Sequence, residues 1–494
     1  MTAASRAGEH TVVDTTAGPV RGLWRGDSAA FLGIPFAEPP FGERRFLEPQ
    51  PRGAWSGVRD AVSYGPTPQR RPLAAITTIP EPSIPGEDIL NLNVFTPCPS
   101  ADGELRPVLF YLHGGGYVAG SPASPWYDGA SFNRDGVVVV TVAYRLGFEG
   151  FGWLPDAPVN RGVLDWLLAL RWVRDNIAQF GGDPRRVTLA GQSAGGGSVL
   201  TLLTTERARG LFSRAISLSG APSDLHLADA QQTSHEVAAR LGVPASRSGF
   251  SSVPETALIA AQGGGFRPLK QPTADQLIEV MRGMAGGRLM GPVVDGSLLR
   301  WSVAEGVRAG AGSDIPLLIG ATRDEFSALA HRFRHLFDGC DAVRLLDRLG
   351  VPPAVARRFA GSLPGRHPAE VAGQWLSDMV IRRRVVDLVD LRNPGAATWV
   401  YDFAWRSAVS GLAEHCLDVP FVFGLLDDPE VVRVAGPAVP QQLADLVHRA
   451  FVRFIHGDDP GWPPYASSRS VMVFDTASAV VDGGYASART LPAR

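Results

Sequence analysis

The stretch FGGDPRRVTLAGQSAGGGSVLTLL, residues 180–203, decides the fold, because a short apolar run in it leads directly into a glycine-rich turn. VTLA at 187–190 predicts a buried β-strand, and the residues after the turn can form a helix. Between them lies GQSAG, with Ser193 at its centre. This order matches the G-x-S-x-G nucleophile elbow, in which crowding at a tight strand-to-helix turn requires small residues such as Gly191 and Gly195. Without that context, the pattern would indicate a glycine-rich turn with a buried serine.

Strands and helices alternate around this segment. PVLFYL at 107–112 and VVVVTVAY at 137–144 are apolar runs that predict strands buried on both faces, and 164–177 predicts a long helix. Further strands are expected at 315–319, 398–403 and 471–474, and an amphipathic helix at 443–455. A strand, a crossover helix and a parallel strand in succession are typical of an α/β fold.

Two regions, 222–310 and 340–395, predict helices and show no obvious sheet. The chain also lacks an internal repeat and a long linker. We therefore expect a single α/β domain over residues 1–494, with a large mixed central sheet flanked by helices. The two helical regions are expected to be insertions that cover the active site.

Composition excludes several classes of protein. Hydrophobic residues make up 45% and charged residues 19% of the 494 residues, which is ordinary for a globular protein. A net charge of −2 gives no electrostatic footprint for nucleic acid or an anionic membrane. The longest apolar run, 137–143, is far shorter than the ~20 residues that span a bilayer. Three cysteines are too few for a disulfide framework, so we expect a cytoplasmic protein. We expect it to be a monomer or a small homo-oligomer.

A second motif, His113 followed by three glycines, comes directly after the strand expected at 107–112. Acyl transfer develops an oxyanion, and backbone N–H groups can point at it only where no side chain obstructs the approach. HGGG upstream of G-x-S-x-G is the arrangement of lipases and esterases. On its own, HGGG would be a flexible turn.

With both motifs in place, the chain resembles the type-B carboxylesterase family, which includes cholinesterases and bacterial para-nitrobenzyl esterases. Its family-like segments are FLGIPFAEPPFGERRF at 31–46, GEDILNLNVFTP at 86–97, FGGDPRRVTLAGQSAGG at 180–196, PVVDG at 292–296 and GWPPY at 461–465. The resemblance runs nearly end to end and implies the α/β-hydrolase fold.

The resemblance also implies the remaining site residues. The family's catalytic acid matches Glu325 in GATRDEF, and its histidine matches His415 in GLAEHCLDVPFVF. Ser193, Glu325 and His415 then follow the serine, acid, histidine order of this fold. By the same resemblance, the oxyanion hole is formed by the N–H groups of Gly115, Gly116 and Ala194, and Ser219 supports the acid–histidine pair.

Three residues depart from the family pattern beside the expected site. Gln192 stands where glutamate is usual, Phe326 where glycine is usual, and Cys416 where glycine is common. Gln192 removes a carboxylate next to the nucleophile, which argues against cationic choline esters. The other two are expected to reshape the pocket.

We expect a carboxylic-ester hydrolase that acts on small neutral esters and requires no metal or cofactor. A carbamate or amide hydrolase with the same triad is an alternative, and an adhesion-type module is disfavoured because Ser193 is present.

His331 and His335 are spaced as helical metal ligands can be, but the glutamate of H-E-x-x-H is absent, so they indicate a solvated helix face. The basic run at 382–384 likewise predicts surface.

The identity of Gln192 generates a prediction about the leaving alcohol. A carboxylate at this position would attract a cation 4 Å away with an interaction energy on the order of 4 kcal/mol at an effective dielectric of 20, whereas an amide has only a dipole. We expect similar kcat/KM for butyrylcholine and 3,3-dimethylbutyl butyrate, and Gln192→Glu should shift the ratio toward choline. A native preference for choline of about a hundredfold, equivalent to ~2.7 kcal/mol, would contradict this.

Overall fold

The computed structural model describes residues 6–73, 78–263, 269–287, 290–466 and 468–493. The described residues form a thirteen-stranded mixed sheet and a separate two-stranded pair. The strands are β1 His10–Thr15, β2 Gly18–Arg25, β3 Ser28–Pro35, β4 Arg59–Asp60, β5 Asn91–Thr96, β6 Arg106–Leu112, β7 Val138–Val142, β8 Gly182–Gln192, β9 Arg214–Leu218, β10 Leu225–His226, β11 Val293–Val294, β12 Leu317–Thr322, β13 Thr398–Phe403, β14 Ser470–Phe474 and β15 Ala479–Asp482.

The sheet is parallel in its centre, and the strand pairs at its edges are antiparallel except for the short parallel pairing of β4 with β2. Its order is β1-β2-β3-β5-β7-β6-β8-β9-β12-β13-β14-β15, with β4 paired to β2. Every neighbouring pair from β7 across to β14 is parallel. The carboxyl ends of β6, β8, β9, β12 and β13 therefore lie side by side at one edge of the sheet, where loops of an open α/β sheet form binding sites.

The described helices flank this sheet. They are α1 Ala130–Arg134, α2 Gly147–Phe151, α3 Arg161–Asn176, α4 Ala194–Leu203, α5 Leu227–Leu241, α6 Arg247–Ser251, α7 Glu255–Ala261, α8 Ala274–Gly286, α9 Val303–Arg308, α10 Ala328–His331, α11 Ala342–Arg348, α12 Pro353–Gly361, α13 Pro368–Ser377, α14 Arg383–Leu391, α15 Val419–Phe423, α16 Pro429–Ala435, α17 Gln441–His456 and α18 Ala486–Arg489. A π-helical turn, Asp378–Arg382, joins α13 to α14.

Alternating side chains of β6 pack into two different cores. Val108 and Phe110 join the apolar cluster that contains α3 and α4 residues, whereas Leu109 and Tyr111 join the cluster beneath α15 and α17. This is the period of two that a strand covered on both faces requires. The central strands are therefore fixed in register by helices on both sides.

The sequence located the central strands and the long helices but missed the antiparallel strands before residue 100. The expected strand at 187–190 is longer in the structure, Gly182–Gln192, and the helix expected at 164–177 is Arg161–Asn176. The region 222–310 is helical, yet it also contains the parallel pair of β10 and β11. Side chains of α8 and α10–α13 share a separate apolar cluster.

The prediction that 382–384 lies on the surface is wrong. The Arg382 and Arg383 residues are buried, with relative exposures of 3% and 9%, and Arg384 is partly buried. The reason is pairing with buried carboxylates, of which Asp378 is near in sequence and Asp402 lies in β13. Arg382 donates to Asp378 at 2.9 Å and to Asp402 at 2.7 Å.

Candidate active site

Ser193 lies in a strained turn between β8 and α4. Its φ of 57° and ψ of −119° are unusual for a residue with a side chain. A Cβ on Gly195 would lie 2.0 Å from the carbonyl oxygen of Leu112, so only glycine allows α4 to approach β6 so closely. The Ser193 N–H donates to the Leu218 carbonyl at 2.8 Å, which fixes the turn to the neighbouring strand β9. The side chain is thereby held at the carboxyl end of the sheet.

The glycine loop after β6 packs against this turn. A Cβ on Gly114 would lie 3.1 Å from the Cβ of Ser193, so the two segments are in direct contact. Gly115 and Gly116 have φ values of 115° and 65°, and a Cβ on Gly115 would lie 2.1 Å from the Ala119 carbonyl oxygen. Ala194 is buried at the start of α4. The structure thus brings the predicted oxyanion-hole residues and Ser193 together.

His113 anchors the glycine loop as a neutral side chain. Burial lowers the pKa of His113 from 6.5 to about 3. Its imidazole stacks on the Tyr144 ring with centroids 4.5 Å apart, and its Nδ1 lies 2.8 Å from the Gly114 carbonyl oxygen. The Tyr144 hydroxyl donates to the His113 carbonyl at 2.9 Å. His113 therefore holds the loop without adding a charge beside Ser193.

Glu325 and His415 form a buried hydrogen-bonded pair. The Glu325 Oε2 atom is hydrogen-bonded to His415 Nδ1, and Glu325 Oε1 accepts a hydrogen bond from the Thr322 N–H at 2.9 Å. The same two residues are also joined through the backbone, since the His415 N–H donates to the Glu325 carbonyl at 2.9 Å. Both carboxylate oxygens are therefore occupied, and Nδ1 is the imidazole nitrogen that faces the acid.

Asp324, the neighbouring carboxylate, points elsewhere. Its Oδ2 accepts from the Ala413 N–H at 3.0 Å and lies 3.5 Å from Arg406 Nε. Asp324 therefore ties the acid loop to the segment that carries His415. This difference favours Glu325 as the acid partner of the histidine.

A buried ion network supports the acid loop from behind. Arg382 donates to the Thr322 carbonyl at 3.0 Å as well as to Asp402, and Arg323 donates to Asp402 Oδ2 at 2.8 Å. Gln374 donates to the Arg323 carbonyl at 3.2 Å. Removing one partner of such a buried pair leaves an uncompensated charge, which costs about 3–5 kcal/mol. The network fixes the two residues that precede Asp324.

Gln192 lies between His415 and Cys416. Its side-chain nitrogen is 3.3 Å from His415 Nε2 and donates to Cys416 Sγ at 3.0 Å. Burial raises the pKa of the Cys416 thiol well above 9.0, so the thiol is neutral.

Ser219 is buried after β9 with φ 48°, and its hydroxyl has no hydrogen-bond partner within the described part of the chain. Its supporting role stays a prediction.

Asp418 is a buried carboxyl group that the sequence reasoning did not single out. Burial, and secondarily the charge of Glu325, raises the pKa of Asp418 from 3.8 to about 7. The Tyr401 hydroxyl donates to Asp418 Oδ2 at 2.8 Å. Asp418 stands within GLAEHCLDVPFVF, the segment that located His415, and its position three residues after the histidine was the available signal.

His331 and His335 are both exposed. Across the described ranges, no group of three His, Cys, Asp or Glu side chains is placed to hold a metal ion. Within the same ranges, no helix combines the length and the apolar character needed to cross a membrane.

The central sheet is mixed. The elbow with Ser193 follows β8, the glycine loop follows β6, Glu325 follows β12 and His415 follows β13. This arrangement defines an α/β-hydrolase. The sequence model described as "Carboxylesterase family" matches residues 9–341, and the chain belongs to this family. It is an ester-hydrolysing enzyme, as its relatives are.

Similar proteins cover almost the whole chain. The para-nitrobenzyl esterase of Bacillus subtilis is 33% identical over 489 residues, which are 94% of this chain and 95% of that protein. The phenmedipham hydrolase of Pseudarthrobacter oxydans is 32% identical over 95% of this chain and 96% of its own length. A crystal structure of a Geobacillus stearothermophilus carboxylesterase has a TM-score of 0.82 and 34% identity, over 97% of this chain and 99% of that one.

The contrast between Glu325 and Asp324 can be tested by amide substitution. Glu325→Gln should lower kcat by on the order of 10³–10⁴-fold, because the imidazole loses its charged orienting partner. Asp324→Asn should retain most activity, since an amide oxygen can still accept from the Ala413 N–H. Steady-state kinetics with p-nitrophenyl acetate measures both. A dead Asp324→Asn beside an active Glu325→Gln would assign the acid role to Asp324.

Asp418 generates a prediction about stability and pH. Its folded pKa, about 7, is above the ordinary 3.8, so between those values the folded chain binds more protons than the unfolded chain. This contribution to stability is complete below pH 3.8 and is lost as the pH rises to about 7. Its upper bound is on the order of 4 kcal/mol.

Urea unfolding at a series of pH values should therefore show a flatter profile over that window for Asp418→Asn than for the wild type. The amide can still accept from Tyr401. The exposed Asp27 provides the control, Asp27→Asn, which should leave the slope unchanged. An identical pH slope for Asp418→Asn and the wild type would show that Asp418 does not titrate in this window.

Proposed function

We propose that the enzyme hydrolyses small, neutral carboxylic esters with Ser193 as nucleophile, His415 as general base and Glu325 as the orienting acid. The observation that carries this proposal is the buried bond between Glu325 Oε2 and His415 Nδ1, formed beside the elbow that carries Ser193. With Nδ1 hydrogen-bonded to the acid, Nε2, which lies 3.3 Å from the Gln192 side-chain nitrogen, is the nitrogen left for proton transfer with Ser193.

The chemistry follows from these positions. His415 Nε2 takes the proton of the Ser193 hydroxyl as its oxygen attacks the ester carbonyl, and then gives that proton to the leaving alcohol. Glu325 stabilises the imidazolium in both steps without taking the proton. Water then attacks the acyl carbonyl and gives a proton to His415; the bond between Ser193 Oγ and the acyl carbon breaks, and His415 returns the proton to Ser193 Oγ as the acid product leaves.

The N–H groups of Gly115, Gly116 and Ala194 are proposed to bind the oxyanion of both tetrahedral intermediates. This role is supported by the positive φ values of Gly115 and Gly116 and by the position of Ala194 as the first residue of α4. Each donor of this kind is worth about 10²–10³ in rate. No metal or cofactor takes part in the proposed steps.

The proposed preference for neutral esters rests on the identity of Gln192, an uncharged amide next to Ser193 in the chain, where a carboxylate would attract a cation. A panel of matched p-nitrophenyl esters, p-nitrophenyl carbamates and p-nitroanilides is expected to give the highest kcat/KM with the esters. A higher kcat/KM for carbamates would instead assign the enzyme to carbamate hydrolysis.

We also propose a cytoplasmic location as a monomer or small homo-oligomer. Cys98, Cys340 and Cys416 are all free thiols, which supports a reducing compartment.

Ser193 is the residue on which the proposed function depends. Ser193→Ala should abolish turnover of p-nitrophenyl acetate while leaving the unfolding midpoint nearly unchanged, because the side chain makes no contact that the elbow needs. An organophosphate should phosphorylate Ser193, as seen by peptide mass spectrometry. Phosphorylation of a peptide that lacks residue 193 would overturn the assignment.

A further inference from the structure

A cavity of about 480 Å³ lies beside the segment that leads to the catalytic acid. Arg323 and Asp324, the two residues before Glu325, form part of its wall, whereas Ser193 and His415 do not line it. Small-molecule sites typically occupy about 300–1,000 Å³, so the cavity is large enough for a ligand. It is therefore separate from the candidate active site and is a candidate for a second binding site.

Three arginines from separate segments line this cavity. Arg323 follows β12, Arg366 lies between α12 and α13, and Arg406 follows β13. Their side chains are 36%, 50% and 44% exposed, respectively, so all three are accessible to a ligand. The planar guanidinium of arginine matches the geometry of a carboxylate group.

These guanidinium groups retain N–H donors that the protein does not use. Arg323 donates from Nε and one terminal nitrogen to Asp402. Arg366 donates from one terminal nitrogen to Glu370 at 3.4 Å, and Arg406 Nε lies 3.5 Å from a carboxylate oxygen. Across the described residues, the other N–H groups of these three guanidiniums have no hydrogen-bond partner. The neighbouring acids hold the arginines in place, which lowers the entropy lost when a ligand binds.

The acidic side chains of the cavity are already bound to other groups. Each of them accepts a hydrogen bond from an arginine, a serine or a backbone N–H. The cavity is lined by four arginines and four acids, namely Arg323, Arg366, Arg382 and Arg406, and Asp324, Glu370, Asp402 and Asp482. Because these charges balance, the cavity favours a ligand with a single negative charge, which the unused guanidinium donors can bind.

Apolar side chains complete the wall of the cavity. They are Leu363, Leu412, Val473 and Val481. Leu363 stands three residues before Arg366, and Leu412 lies six residues after Arg406, so apolar and cationic groups come from the same segments. Moving an alkyl chain from water onto such surface is favourable. The ligand that fits both features has one carboxylate and a short alkyl chain.

We propose that this cavity binds short-chain alkyl carboxylates, with the carboxylate on Arg366 and Arg406 and the alkyl chain against Leu363 and Leu412. The inference goes beyond the proposed function and does not depend on it, because Ser193 does not line the cavity. The ligand belongs to the same chemical class as the acid product of ester hydrolysis.

Isothermal titration calorimetry on the full-length enzyme tests the ligand class, with sodium hexanoate, hexanamide and sodium acetate as probes at constant ionic strength. We expect saturable binding of hexanoate with a Kd in the millimolar range. Hexanamide should bind at least about tenfold more weakly, because it lacks the charge that strengthens a hydrogen bond to a guanidinium. Acetate should also bind about tenfold more weakly, because it has no alkyl chain to bury.

Two arginine variants locate the site. Arg366→Gln should weaken hexanoate binding by about tenfold, since it removes a charged donor of the cavity. Arg334→Gln is the matched control: Arg334 is 48% exposed and pairs with the same Glu370, but it does not line the cavity. It should keep the Kd of the wild type within about twofold, since exposed ion pairs contribute little. The thermal unfolding midpoint checks that both variants are folded.

Hexanoate bound only in the active site would compete with p-nitrophenyl acetate and would bind Arg366→Gln as tightly as the wild type. That result would overturn the inference. Absence of hexanoate binding to the wild type, equal binding of hexanamide, or an equal loss in Arg334→Gln and Arg366→Gln would overturn it as well. In each of these cases, continued hydrolysis of p-nitrophenyl acetate would leave the proposed function intact.

Discussion

The close approach of the α4 backbone to the carbonyl of Leu112 is the constraint on which the site depends. A Cβ on Gly195 would lie 2.0 Å from that oxygen, so the chain can turn here only with glycine. The turn places Ser193 at φ 57° and brings it against Gly114, which is why Ser193 and the glycine loop form one surface. Steric fit between backbones, rather than any side-chain attraction, sets this geometry.

Electrostatics around the site follow a consistent pattern. Two groups at the candidate site are neutral: His113, whose pKa is lowered, and Cys416, whose thiol pKa is raised. Behind the acid loop, the buried charges of Arg382 and Asp402 neutralise each other. The hydrogen bond between Glu325 and His415 is buried as well, and low surrounding polarity strengthens such a bond.

Local patterns predicted the central strands and the elbow because each has a strong signal. β7 is VVVTV and every residue in it is buried, whereas β1 has a single buried residue among its six, so the edge strand lacks a clear period. The burial of Arg382 could not be predicted either, because Asp402 lies 20 residues away in sequence and meets it only after α14 packs on the sheet. The direction of the Phe326 ring is likewise set by tertiary packing, not by its sequence neighbours.

The order of strands in the sheet has a consequence for how the protein folds. β6 must insert between β7 and β8, and the acid loop is completed only when β13, about 80 residues further along the chain, pairs with β12. Such long-range parallel pairing closes large loops before it gains contacts, which slows folding. The Glu325–His415 pair requires this pairing, so during refolding activity is expected to appear only once the distal half of the sheet has docked, and not on collapse of the chain.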